Sequence, residues 1–235
     1  MRAAGADGVV AVLASAADAG ASFEPPEIVD GTAISVTGAA IPDGARRVQL
    51  AMAPVTRAVP PAVPGQQVAA DGDRWGLVLD PELPGAMAAP GDGDDGDGDG
   101  DRTDDIAALA HDVDLRLDED LAITAPTMAA ARQARAGDCT THALLFAALA
   151  GDAGIPVRLV TGFRLDGDRL VRHRWAIAWT GRRWLAVDPT RGEAPARSFL
   201  IGLAVHGARA EEVAVADELA FAGTGGAGVR IQSTE

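Results

Sequence analysis

The sequence predicts an α+β fold, a central helix packed on an antiparallel β-sheet with a small N-terminal β-rich appendage. Three observations predict it. Residues 143–150 (Ala-Leu-Leu-Phe-Ala-Ala-Leu-Ala) are apolar on every side, as suits a helix enclosed at the centre of a domain. The segments that follow alternate β-rich runs with turn residues, the pattern of hairpin-connected strands. Between the appendage and this region lies a Gly/Asp stretch with nothing to bury.

In chain order, residues 1–20 read as a tail. Their apolar run at residues 9–14 falls short of the ~7–15 residues of a signal-peptide core, and Asp7 interrupts the approach to it. The run therefore assigns neither a cytoplasmic nor an exported location, and the front end reads as a piece of a longer chain. Residues 21–87 form the β-rich region. Strands are expected at 32–37, 47–52 and 74–80, with turn chemistry at Pro42-Asp43-Gly44 and a Pro-rich stretch at 54–64. The region holds no Cys or His, and no chemistry is assigned to it.

Residues 88–105 read as an acidic linker. Within it, Asp95, Asp97, Asp99 and Gly100 match the first half of a calcium loop, but the twelfth place, where a bidentate Glu belongs, is Ile106. Calcium is not expected there. Residues 106–235 form the larger domain. Ile106, Leu109, Ala110 and Val113 share one helical face, capped by Asp104 or Asp105. A second helix is expected from Thr127 to Gly137, and a third from Cys139 to Asp152, capped by Asp138. Strands follow at 156–164, 170–179, 183–187 and 198–205, then a helix at 209–221 and a strand at 229–232.

Composition narrows the function classes. The chain is 48% hydrophobic and 23% charged, ordinary for a globular domain, and no apolar run approaches the ~20 residues that span a bilayer. Its net charge of −14 argues against nucleic acid, whose phosphates demand a basic surface. Half of that charge sits at residues 91–105, leaving the remainder mildly acidic. A single Cys excludes any internal disulfide.

That cysteine, Cys139, opens the enclosed helix, where unpaired N–H groups and the helix dipole favour an anion and hence a nucleophilic thiolate. A nucleophile needs a base and an orienting group. His173 lies on the expected strand 170–179 and Asp188 just past the next one. A hairpin centred on Thr180-Gly181 pairs His173 directly with Asp188, within reach of a hydrogen bond. Trp175, Ile177 and Trp179 share the parity of His173 and would wall its face. Asp138, His142 and Trp175 are candidate supporting residues. His142, three residues after Cys139, is an alternative base. Cys139, His142, His173 and Asp188 could otherwise form a zinc site, although structural zinc usually recruits more sulfur. His111 and His206 have no matching partners and read as surface or core histidines.

Several anchors occur in order: Gly137-Asp138-Cys139-Thr140-Thr141-His142-Ala143, Gly154-Ile155-Pro156-Val157-Arg158, Thr161-Gly162-Phe163, His173-Arg174-Trp175, and Trp184-Leu185-Ala186-Val187-Asp188-Pro189-Thr190. Together they resemble the transglutaminase-like superfamily of papain-related cysteine enzymes. The resemblance covers residues 137–190, extends from Ile106 to the end, and says little of residues 1–90. It implies a papain-like core in which Cys139 opens the helix, His173 lies on the first of two adjacent strands and Asp188 on the second. It further implies a peptide or protein amide substrate, protease or amidase chemistry more often than cross-linking, and no need of a cofactor or metal. Thr141, Arg174 and Ile177 stand where the family often has an acidic, a small and an acidic residue. Those departures bear on substrate specificity and leave the chemistry intact. A non-catalytic binding module on the same fold is the rival reading, and a zinc-binding protein the third.

Overall fold

The structure, a computed structural model, describes residues 8–11, 28–29, 33–38, 41, 44–53, 60–71, 74–90, 100–167, 169–221 and 228–233. The calcium-loop pattern at residues 95–99 lies outside them. So do Pro42 and Asp43 of the expected turn, although Gly44 beside them has φ +80°.

The fold is α+β. Six strands precede the first long helix: β1 (Gly8–Ala11), β2 (Ile28–Val29), β3 (Ala33–Gly38), β4 (Arg47–Ala53), β5 (Gln66–Asp71) and β6 (Arg74–Leu79). Then come α1 (Thr103–Arg116), β7 (Asp118–Glu119), α2 (Met128–Ala131), β8 (Ala136–Gly137) and α3 (Cys139–Asp152). The chain continues through β9 (Val157–Asp166), β10 (Arg169–Trp179), β11 (Trp184–Val187), β12 (Leu200–His206), α4 (Ala210–Phe221) and β13 (Gly228–Ser233). The main sheet runs β12-β9-β10-β3-β13-β1-β4-β6-β5, with β11 also on β10 and β2 on β3. Its pairs are antiparallel except β1 with β4 and β13 with β3. The N-terminal strands thus share a sheet with β9 and β10, joined where β3 pairs with β10.

The two faces of β10 explain the core. Ala176 and Ala178 face α3 and pack with Ile106, Ala110 and Val113 of α1, Leu144 and Phe146 of α3, and Leu159 of β9. Alanines at these strand positions let the helix approach closely. Trp175 and Ile177, on the other face, pack with Val63, Val160, Trp184 and Leu200. This alternation is the period of a strand buried on both sides. A third cluster joins Val48, Trp75, Leu77 and Leu79 to Phe163, Leu165, Leu170 and Ile201.

The sheet curls until its two ends meet. Gln66 of β5 is buried, and its side-chain amide donates to the carbonyl of Gly202 (3.0 Å) while accepting from the Gly202 N–H (2.8 Å). One side chain thereby mimics a ladder pair and satisfies two buried backbone groups of β12. The strand β5 that carries Gln66 falls where the sequence pattern shows only a Pro-rich approach to the next strand.

Two helix expectations are corrected. The start of α1 lies at Thr103, before Asp104 and Asp105, and Arg102 in the cap position makes no side-chain cap bond. Asp101 serves instead, its Oδ1 accepting from the Thr103 N–H at 3.0 Å. The second helix ends at Ala131 rather than Gly137. Thr127 caps it as expected, accepting from the Ala130 N–H at 3.1 Å. Beyond Ala131, Arg132 is drawn to α3, donating to the Ala148 carbonyl (2.8 Å) and pairing with Asp152 (2.7 Å). Residues 136–137 pair with β7. Tertiary hydrogen bonds override the helical propensity of an Ala/Arg-rich run.

Gly162 sits opposite His173 on the β9–β10 ladder, where β12 is irregular between Gly202 and Ala204. A Cβ at Gly162 would lie 1.9 Å from the Ile201 carbonyl oxygen, a backbone atom that cannot rotate away. Gly162→Ala is expected to destabilise the fold by about 2–3 kcal/mol, in the range of overpacked cores, as read by chemical denaturation. An unaltered midpoint would mean that β12 yields freely.

Candidate active site

The thiol is placed by a capped helix. Asp138 precedes α3 with extended backbone, and its Oδ1 accepts from the Thr141 N–H at 2.9 Å. Its Oδ2 accepts from Thr124 Oγ1 at 2.6 Å, so both carboxylate oxygens are engaged. The Thr141 hydroxyl accepts in turn from the Ala125 N–H (2.8 Å), tying the loop before α2 to the start of α3. Gly137 is required here, since a Cβ would lie 2.4 Å from the Thr141 side chain. Cys139 is thereby fixed at the first helical position, half-buried, on the wall of a cavity of about 350 Å³.

His173 lines the same cavity. Its Nε2 lies 2.9 Å from Asp188 Oδ2, leaving Nδ1 as the nitrogen for the thiol. The other oxygen of Asp188 accepts from Thr190 Oγ1 at 2.5 Å. The Asp188 backbone is locked into a bridge with Glu193, through bonds of 2.9 and 3.1 Å. The expected pairing is corrected in register. The ladder pairs Trp179 with Trp184 and Ala176 with Val187, around a turn of four residues rather than two. Continuing that register puts Asp188 opposite Trp175 and diagonal to His173. The shift is by two residues, so Asp188 keeps its face; a shift by one would have turned it away.

Electrostatics favour an ion pair. Burial pushes the His173 imidazole down, but the charge and hydrogen bond of Asp188, with the thiol of Cys139, outweigh it and raise the group to about 9. Burial raises Asp188, but the charge and hydrogen bond of His173, with Thr190 and Arg164, hold it down at about 2.

The cavity also holds groups that sequence reasoning did not assign to the site. Arg174, beside His173, is buried at 4% exposure. It donates from Nε to Thr161 Oγ1 (3.1 Å), from Nη1 to Thr140 Oγ1 (2.7 Å) and from Nη2 to Asp217 Oδ1 (2.5 Å). Thr161 also touches His206 Nε2 (3.0 Å). His206 Nδ1 faces the Gly207 carbonyl (2.7 Å), which fixes its proton there and makes Nε2 the acceptor of the Thr161 hydroxyl. Leu121, 78% exposed, stands on the cavity wall. Arg174 was visible in sequence as a departure from the family pattern; Asp217, on α4, carried no signal.

Two expected supporting residues lie behind the cavity wall rather than on it. His142 is buried with Nδ1 against the Asp138 carbonyl (2.9 Å) and Nε2 against that of Leu117 (3.3 Å). It is absent from the cavity wall, so the structure gives it no role as a base and does not assemble the four-residue zinc set. Among the described residues no group of three or more His, Cys, Asp and Glu is arranged to hold a metal. Trp175 lies under the imidazole, the rings stacked at 6.1 Å and 18°, as a buried wall rather than a substrate surface. His111 is exposed.

A thiol at a helix N-terminus beside an imidazole that is backed by a buried carboxylate has the architecture of a cysteine-enzyme superfamily. Residues 97–189 match the model of the transglutaminase-like superfamily. The matched stretch holds all three of Cys139, His173 and Asp188. The crystal structure of a candidate cysteine protease from Cytophaga hutchinsonii is similar over 87% of this chain and 85% of its own, at 15% identity and a TM-score of 0.41. No curated protein matches the chain.

Proposed function

We propose that this protein is a cysteine-dependent amide hydrolase or acyl transferase acting on a peptide or protein amide. Cys139 attacks the carbonyl carbon as a thiolate. His173 holds the thiol proton and delivers it to the leaving amine as the C–N bond breaks, leaving a thioester. Water then attacks the thioester to give the acid, or an amine attacks to give a new amide; in both cases His173 takes the proton of the nucleophile and returns it to sulfur. Asp188 holds the ring and balances the imidazolium. The observation that carries this reading is the 2.9 Å contact between His173 Nε2 and buried Asp188 Oδ2, on the same cavity wall as Cys139.

The test is alkylation of Cys139 by iodoacetamide across pH, in wild type and His173→Ala. An ordinary thiol, with pKa about 8.5, is only about 1% thiolate at pH 6.5. A thiolate held by an imidazolium regains most of that factor, less a loss of intrinsic nucleophilicity. Wild type is therefore expected to label about tenfold faster than His173→Ala at pH 6.5. Equal rates that climb only near pH 8.5 would favour the binding module instead, and labelling blocked until a chelator is added would point to metal.

A further inference from the structure

We infer that the cavity selects substrates carrying a carboxylate beside the scissile amide, received by the guanidinium of Arg174. The inference rests on Cys139 being the nucleophile and goes beyond it to substrate class. A buried guanidinium needs partners, and this one has two neutral hydroxyls and one carboxylate, that of Asp217, whose side chain is 49% exposed. Those bonds use three of its five N–H groups, leaving one on each Nη atom. Its position is set from three directions, by Thr140 at the start of α3, Thr161 on β9 and Asp217 on α4. The planar fork is therefore oriented before any ligand arrives, the arrangement that suits bidentate recognition of a carboxylate.

Charge supports the same assignment. Arg172, Arg174 and the raised imidazole of His173 line the cavity, whereas the chain as a whole carries −14. Of the two acidic residues on the wall, Asp138 has both oxygens committed to Thr141 and Thr124. Asp217 is the wall carboxylate bonded to Arg174, and so the one that competes with an incoming anion for it. A guanidinium held in the cleft gives an anion a local partner that the acidic surface around it does not offer. Exposed Leu121 offers an apolar contact for the neighbouring part of the substrate.

Two reagents test this without a known substrate. In each, the Cys139 thiolate displaces iodide from a CH2 group, forming an S–C bond; iodoacetate carries a carboxylate there and iodoacetamide a neutral amide. The ratio of their rates at pH 6.5 reads carboxylate selection and cancels changes in thiol reactivity. Arg174→Gln is expected to lower the iodoacetate:iodoacetamide ratio about tenfold, the size of one charged hydrogen bond. Asp217→Asn, at a half-exposed site where loss of folding is not expected, should raise it about threefold by removing the competing carboxylate. Ratios within about twofold of wild type in the folded variants would overturn the inference and leave Arg174 a strut between α3 and α4. Should Arg174→Gln fail to fold, the Asp217→Asn ratio decides. Failure of the enzyme reading looks different, since labelling would then lack dependence on His173 altogether. Peptides with an internal Glu beside the amide and peptides ending in a free carboxylate separate the two sources of the anion by kcat/KM. Neutral peptides turned over as fast as both would count against the assignment.

Discussion

Asp188→Ala is expected to cost about 3–5 kcal/mol of folding stability near pH 6, the toll of breaking a buried ion pair by removing one partner. Asp188 is fully buried, and both its oxygens are used, by His173 and Thr190. Without it, the imidazolium loses the strongest group that offsets its burial and keeps only the thiol of Cys139, so the affinity of His173 for its proton falls and the advantage of Cys139 at low pH falls with it. The pH dependence has a definite sign. His173 is raised to about 9, so its contribution is complete below its unfolded value of about 6.5 and is lost as pH rises through about 9. Asp188 is lowered to about 2, so the same pair is intact above its unfolded value of about 4 and is lost as pH falls through about 2. The stability gap between wild type and Asp188→Ala should therefore be widest between about pH 4 and 6.5 and shrink towards pH 10. Denaturation midpoints measured at pH 6 and pH 10 check this; a gap that does not narrow would mean the folded imidazole is already neutral at pH 6.

Cys139→Ala has the largest expected effect on turnover with almost none on the fold. Alanine is well suited to the first turn of a helix, and Cys139 makes no bond to the cap, which belongs to Asp138 and Thr141. The midpoint of unfolding should stay within about 0.5 kcal/mol of wild type, as at other sites outside the core. Amine release from a peptide substrate should fall by at least about 10⁴-fold, as when the nucleophile of a catalytic unit is removed. Acid quench of the wild-type reaction followed by intact-mass analysis should show the acyl group attached to the chain, and the variant should show none. Wild-type turnover that survives the substitution would remove Cys139 from the chemistry.

The parts of this structure legible in sequence are those set by neighbours a few positions apart. Residues 143–150 announced an enclosed helix, and Asp138 announced where it begins; α3 runs from Cys139 to Asp152 as the pattern requires. The alternation along 170–179 assigned Trp175 and Ile177 to the face shared with His173, and that parity holds in the core. Helical caps and period-two alternation are local devices, encoded in residues that touch through one turn or one pleat.

What was illegible depends on segments far apart in the chain. The turn at residues 180–183 is one hydrogen-bonded unit, Thr180 N–H to the Arg183 carbonyl at 2.9 Å, and it moves the hairpin register by two residues from the pairing expected of Thr180-Gly181. α2 stops at Ala131 because Arg132 finds α3 and residues 136–137 find β7, neither visible from propensity. The role of Gln66, sequestered from water and bonded to Gly202, exists only because the sheet curls until β5 meets β12. Arg174 reads as a charged residue on a strand until α4 brings Asp217 against it. The chain's local patterns thus specified the helix that bears the thiol, its cap and the face on which His173 and Asp188 stand. Packing specified the register that joins those two side chains and the partners that hold Arg174 beside them, because such bonds form between groups that only the assembled layers bring within 3 Å.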